Sequence, residues 1–135
     1  MKFQFSAGGI VFKGDKVLLC QHSQHHGWVF PKGLIGDHQK GEEKEETALR
    51  EVEEETGVKA KIIKPLTPVT YWFVFEGEKV RKKVYYFLME YVGGDIEKHD
   101  EEMEAVVWLP VEKVKDRLTY KSDKKVWAQA RELIG

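Results

Sequence analysis

Three glutamates in the stretch REVEEETG, Glu51, Glu54 and Glu55, have the type and spacing for chemistry. On a helix advancing about 100° per residue, with Glu51 as origin, Glu54 falls near 300° and Glu55 near 40°. The three carboxylates therefore share an arc of about 100°, while Glu53 falls near 200° and is expected to face solvent. Val52 and Leu49, near about 100° and 160°, are expected to turn toward the core. This arrangement carries two electrostatic costs. Acids near a helix C-terminus oppose the macrodipole, and like charges three and four residues apart repel. A solvated acidic surface would carry the same composition, yet the segment 51 to 55 contains no base to relieve it. A divalent cation offsets both costs, and hard oxygen ligands suit Mg²⁺, with Mn²⁺ as a substitute.

The segment before the helix, FPKGLIGDHQKGE, supplies a partner for that cation. Gly33, Gly36 and Gly41 permit close backbone approach and unusual dihedrals. Lys32 can place a cation beside a phosphate. Lys32 and Gly33 are accordingly read as substrate-binding, against the alternative of a plain flexible connection. His22, His25 and His26 in HSQHH form a second candidate metal cluster, without matching cysteines or acids nearby in sequence. Cys20 lies in an apolar strand-like run and reads as a buried structural thiol.

These residues need a scaffold. FQFSAGGIVFKGDKVLLCQ reads as two strands joined at Lys13-Gly14-Asp15. GWVFPKG is a short strand ended by Pro31. EEKEETALREVEEET, residues 42 to 56, is a helix stopped by Gly57. KAKIIKPLTPVTYWFVFEGEKVRKKVYYFLMEYVG is strand material folded at Glu76-Gly77-Glu78, and AVVWLP is a further strand. A helix opens at Pro110, and a last one carries Val126, Ala130 and Leu133 and ends in Gly135. The pattern predicts a mixed α/β fold in which helices cover a largely mixed sheet, built as one domain over residues 1 to 135.

Composition narrows the function. Lys and Arg total 22 against 23 Asp and Glu, so the overall balance calls for neither a nucleic-acid groove nor a membrane surface. No apolar run approaches the ~20 residues of a spanning helix, and no signal-peptide pattern opens the chain. A cytoplasmic protein, monomeric or homodimeric, is expected.

The acidic helix and its loop resemble the Nudix family. Its signature of Gly, five residues, Glu, seven residues, then Arg-Glu-apolar-x-Glu-Glu-x-Gly-apolar is met by Gly36, Glu42, Arg50, Glu51, Val52, Glu54, Glu55, Gly57 and Val58. One departure stands out. In many relatives the glycine of PKG opens the signature, whereas here Gly33 lies three residues further from Glu42 and Gly36 supplies the spacing. Lys40 also stands where a proline is common.

The resemblance implies an α/β/α sandwich with a mixed central sheet and hydrolysis of a nucleoside diphosphate linked to another group, with Mg²⁺ or Mn²⁺ as cofactor. It implies that Glu51, Glu54 and Glu55 hold metal, that Glu42 is the outer acid, and that Arg50 orients the carboxylates. A plain salt bridge from Arg50 to Glu54 or Glu46 is compatible with that role. The general base is expected from the helix, at Glu54, or from the late loop, at Glu102 with Glu101 next. WVFPKG, TYWF and KKVYYFLMEY point among relatives to asymmetrical diadenosine tetraphosphate hydrolases. Tyr86 is expected to stack on adenine, Lys83 with Lys82 to meet the polyphosphate, and Tyr120 to lie by the base. Alternatives are a pyrophosphatase for (oxidised) nucleoside triphosphates or ADP-ribose, diphosphoinositol polyphosphate hydrolysis, and a non-catalytic nucleotide-binding module. The small-molecule partner is thus a nucleoside polyphosphate, with no nucleic acid and no membrane expected.

Overall fold

A computed structural model describes residues 1 to 36 and 40 to 134. Residues 37 to 39, part of the lengthened stretch between Gly33 and Glu42, and the closing Gly135 lie outside the described residues.

The strands are β1 (Lys2–Lys13), β2 (Lys16–His22), β3 (Trp28–Val29), β4 (Lys32–Leu34), β5 (Val58–Pro65), β6 (Val69–Phe75), β7 (Glu78–Gly94) and β8 (Met103–Pro110). The helices are α1 (Lys44–Thr56), α2 (Val111–Arg117) and α3 (Lys121–Ile134), with a single 3-10 turn at Ile96–Lys98. The sheet is mixed, as its sequence predicts. β1 runs parallel to β7 from Lys2↔Val80 to Phe12↔Glu90, and the other pairings are antiparallel.

Two apolar cores, one on each face, make the sandwich. α1 lays Ala48 and Val52 onto Ala7, Val11, Leu18, Phe87 and Met89. α2 and α3 lay Val114, Val126, Trp127 and Ala130 onto Ile10, Leu19, Phe30, Val84 and Tyr86. Strand alternation delivers both sets, since successive residues of β1 and β7 point to opposite faces.

Three local features differ from the sequence reading. The segment GWVFPKG is two strands rather than one. It pairs with β2 at Trp28 and Val29, then crosses to β1 at Lys32 to Leu34. The crossing is possible because Gly8 lacks a Cβ, which would overlap the Pro31 carbonyl and Lys32. The amide of Gly9 donates to Pro31 O at 3.1 Å and closes the junction. Second, α1 begins at Lys44, so Glu42 and Glu43 precede it. Third, Leu49 is exposed rather than core-facing. The buried residues Thr47, Ala48, Glu51, Val52, Glu55 and Thr56 centre the covered arc near Glu55, about 40° on the helix wheel, which leaves Leu49 at its edge. Glu53 is exposed, as its position on the wheel predicts.

The helix stop is Gly57, left-handed at φ 79°, whose amide donates to Glu53 O at 2.8 Å. A Cβ there would run into the Asp95 carbonyl, while Asp95 N donates to Gly57 O at 3.0 Å. The loop from Asp95 to Glu102 is thereby tied to the acidic end of α1, and Asp100 N adds a bond to Glu54 O at 3.2 Å.

Candidate active site

The crossing of β3 and β4 over β1, the C-terminal half of α1 and the loop before β8 enclose a cavity of about 640 Å³. Glu51, Glu54 and Glu55 line it together with Lys32, Gly33, Lys82, Asp100 and Glu102. Two of the carboxylates are sealed beneath it, Glu51 at 6% and Glu55 at 3% exposure. Gly33 explains how Glu51 fits, because a Cβ at position 33 would occupy the space of the Glu51 carboxylate itself.

Arg50 arranges the acids. Its Nε donates to Glu42 Oε2 at 2.8 Å and its Nη2 to Glu42 Oε1 at 2.9 Å, a two-pronged contact. Its Nη1 reaches Glu51 Oε1 at 2.6 Å and Glu54 Oε2 at 3.1 Å. Glu42 also accepts from Thr47 Oγ1 at 2.7 Å. The Arg50 hydrogen bonds dominate in holding the Glu42 carboxyl down at about 2. The same bonds, those to Glu42 first, push Arg50 above its usual range. Arg50 thus spans Glu42, Glu51 and Glu54 rather than forming a single pair along the helix.

Among the described residues Glu55 makes no hydrogen bond to Arg50, and Lys32 only partly offsets its burial. Burial, then a hydrogen bond and charge repulsion from Glu51, raise its carboxyl well above the usual range. Two enclosed carboxylates that repel each other need a proton or a cation to neutralise them. Among the described residues no three acidic, histidine or cysteine side chains already stand in ligand geometry, and Arg50 holds one oxygen each of Glu51 and Glu54. The donor set nonetheless fits a hard cation: carboxylate oxygens, two of them enclosed and mutually repelling, open on one side to the cavity.

The cations face this floor. Burial works against the charge on Lys32, but Tyr71, Asp123 and Glu55 around it outweigh burial and raise its pKa. Lys82 is lowered to about 8, by burial first and by the charge of Lys32 second. Lys83 does not reach the cavity. It is the next residue along β7 and so points to the opposite face, where its Nζ lies 5.1 Å from the Tyr85 ring.

Tyr86 is not available for stacking. It is 3% exposed, lies edge-on to Phe30 at 6.2 Å, and its hydroxyl contacts Asp123 Oδ1 at 3.4 Å. Core packing on the α3 face, with Phe30 and Trp127 as neighbours, accounts for it. Aromatic rings do line a contiguous second cavity of about 560 Å³, supplied by Tyr71, Phe73 and Tyr120 with Lys32, Lys82 and Asp123.

Asp123 was not singled out by the sequence. It opens α3 in SDKK, where an acid reads as ordinary first-turn charge. It is instead 3% exposed and accepts from Phe30 N at 3.4 Å. Burial foremost raises its carboxyl, and Lys32 partly offsets this.

Glu102 lies in the cavity lining, whereas Glu101 is not among the lining residues. Ser23 holds the Glu102 backbone, with its N at 3.0 Å and its Oγ at 2.9 Å from Glu102 O. His22 Nε2 stands 3.7 Å from Glu102 Oε1. The three histidines do not converge on one point. His22 and His25 stack at 4.3 Å, Tyr120 Oη sits 3.0 Å from His25 Nδ1, and His26 pairs with Glu104. Cys20 is fully buried, and burial pushes its thiol up, away from nucleophilic character.

A family model described as NUDIX domain matches residues 2–130. The chain is 36% identical over 139 residues to the protein MutT4 of Mycobacterium tuberculosis (strain CDC 1551 / Oshkosh), covering 96% of this chain and 55% of the relative. It is 37% identical over 94 residues to the asymmetrical bis(5'-nucleosyl)-tetraphosphatase of Rattus norvegicus, covering 68% of this chain and 62% of that protein. It therefore spans only somewhat more than half the length of these curated relatives. Among solved structures it is similar to the NUDIX domain of Shewanella oneidensis NrtR complexed with ADP ribose, at TM-score 0.76 and 26% identity over 100% of this chain and 90% of that one.

Proposed function

The chain belongs to the NUDIX domain family, and on that premise we propose that it hydrolyses the diphosphate bridge of a nucleoside polyphosphate, with diadenosine tetraphosphate going to ATP and AMP. The observation that carries this reading is one cavity in which two enclosed carboxyls, Glu51 and Glu55, face two lysines, Lys32 and Lys82. Opposite charges arranged this way suit a polyanion bridged to a cation.

Glu51, Glu54 and Glu55 would hold Mg²⁺, with Mn²⁺ as substitute, and the bound ion would neutralise phosphate charge and acidify water. Arg50 keeps Glu51 and Glu54 on the cavity side of α1, and Glu42 fixes Arg50. Lys32 and Lys82 bind the phosphate oxygens, and Gly33 leaves room for Glu51 beneath them. Water attacks one phosphorus of the bridge as the bond from that phosphorus to the bridging oxygen breaks. The water proton passes to the carboxylate of Glu102, or of Glu54 on the helix, and the leaving phosphate departs as an anion. The aromatic cavity takes a purine. Tyr120, exposed, and Tyr71, half-buried, are the rings offered there in place of Tyr86.

The rat relative's name supports the dinucleotide polyphosphate as first choice. ADP-ribose in the NrtR structure favours a second reading, hydrolysis or binding of ADP-ribose. A parallel assay of diadenosine tetraphosphate, ADP-ribose and nucleoside triphosphates with Mg²⁺ separates these. Release of ATP and AMP from the first supports the proposal. Tight binding without cleavage of any diphosphate compound would establish a binding module instead. Hydrolysis in ¹⁸O-water identifies the phosphorus attacked.

A further inference from the structure

The lower half of the sheet, on the α1 face, is not covered by the helix. Register places its residues in rows. Trp72 pairs with Arg81 across β6 and β7, and Arg81 pairs with Phe3 across β7 and β1. The next row joins Thr70, Lys83 and Phe5 in the same way, and Val74 faces Lys79 in the row before. Directly paired residues share a face, so a base stands beside an apolar side chain in each row, flanked by two aromatic rings at Arg81 and by one at Lys83. The apolar members are open to solvent: Phe3 is 55%, Phe5 49%, Trp72 48% and Val74 71% exposed.

Basic groups lie against the rings rather than apart from them. Lys79 Nζ is 4.6 Å and the Arg81 guanidinium 5.9 Å from the Trp72 ring centroid. The eight residues of these three rows include three bases and no acid, although the chain as a whole carries a net charge of −1. The strip is therefore locally basic. Same-face residues recur about every 7 Å along a strand, a step that one extended nucleotide can span. Rings able to stack on bases, alternating with cations able to meet phosphates, are the chemistry that recognises an unpaired strand.

We propose that this face binds single-stranded nucleic acid. A second copy of the chain is a poorer match, because a two-fold contact here would set the basic strip against itself. The proposal goes beyond the hydrolase reading and does not depend on it.

Fluorescence anisotropy of a 5′-labelled oligouridylate, titrated with protein in EDTA at low salt, tests binding apart from catalysis. Saturable binding is expected, weakened at least about tenfold by Trp72→Ala through lost stacking. Arg81→Glu should weaken it as much and make the salt slope shallower by about 0.7. Both variants should keep the wild-type melting profile and Mg²⁺-dependent turnover. If Trp72→Ala melts early, Phe3→Ala takes its place in the stacking arm. Absence of saturable binding, or equal binding by wild type and Arg81→Glu, overturns the proposal. So does failure to bind the oligonucleotide together with self-association in sedimentation velocity or pelleting with phosphatidylserine vesicles.

Discussion

Glu42 does not line the cavity, yet it fixes the geometry of what does. Its carboxyl is held at about 2 by Arg50 and Thr47, against about 4.3 for an unstructured glutamate. A folded pKa below the unfolded one stabilises the fold fully above the unfolded value and loses that effect as pH falls toward the folded one. The protein should therefore lose thermal stability between about pH 4.3 and pH 2, the range the two values bracket. Glu42→Gln should flatten that part of the melting-temperature profile. An unchanged profile in the variant would mean that the Arg50 contact contributes nothing. Lys82, lowered to about 8, should lose its proton as pH rises through that value. The free enzyme then has one cation fewer for a polyphosphate, so kcat/KM should fall above about pH 8. Lys82→Met should lower kcat/KM and remove that limb; persistence of the limb would assign it to another group.

At the scale of elements, α1 and its stop were the most legible part of the chain. The spacing that sorts Glu53 from Glu51, Glu54 and Glu55 is a property of helical periodicity alone. Gly57 announces the stop because its left-handed backbone excludes a side chain. Gly57→Ala must both strain the backbone at φ 79° and push a Cβ into the Asp95 carbonyl. A loss of roughly 1–3 kcal/mol is expected from urea denaturation; a loss within experimental scatter would mean the loop simply relaxes. Gly33→Ala belongs to a different link. Its Cβ meets the Glu51 carboxylate, so kcat should drop strongly while the fold survives, read by turnover beside circular dichroism. What the sequence concealed was two-dimensional. Choosing Lys82 over Lys83 needs the face of β7, and a single strand's alternation does not say which face carries the cavity. Leu49 illustrates the same limit, since the wheel orders residues but the covered arc is set by how α1 lies on the sheet. The surroundings of Tyr86 and Asp123 were hidden for the same reason. Packing of α3 buries the tyrosine in the core, and it turns an unremarkable first-turn acid into a buried group beside Lys32.

For the whole molecule, the acidic end of α1 is a cost accepted in one place and held there by the rest of the fold. The junction at Gly8 and Gly9, whose meaning in AGG is invisible without β4, brings the Lys32 segment over the carboxylates. The loop tied to Gly57 brings Asp100 and Glu102 to the other wall. Relief of repulsion between buried carboxylates should couple to global stability. Millimolar Mg²⁺ should raise the melting temperature of wild type, because a ligand that binds only the folded state stabilises it by mass action. Glu51→Gln should blunt the rise.

The most direct measurement is product release from diadenosine tetraphosphate by wild type and Glu55→Gln, each with Mg²⁺ and with EDTA. The account predicts ATP and AMP from wild type with Mg²⁺ alone, and loss of at least about a hundredfold in Glu55→Gln, on the scale of removing one charged group from a catalytic site. Equal turnover in EDTA, or a Glu55→Gln variant as active as wild type, would contradict it.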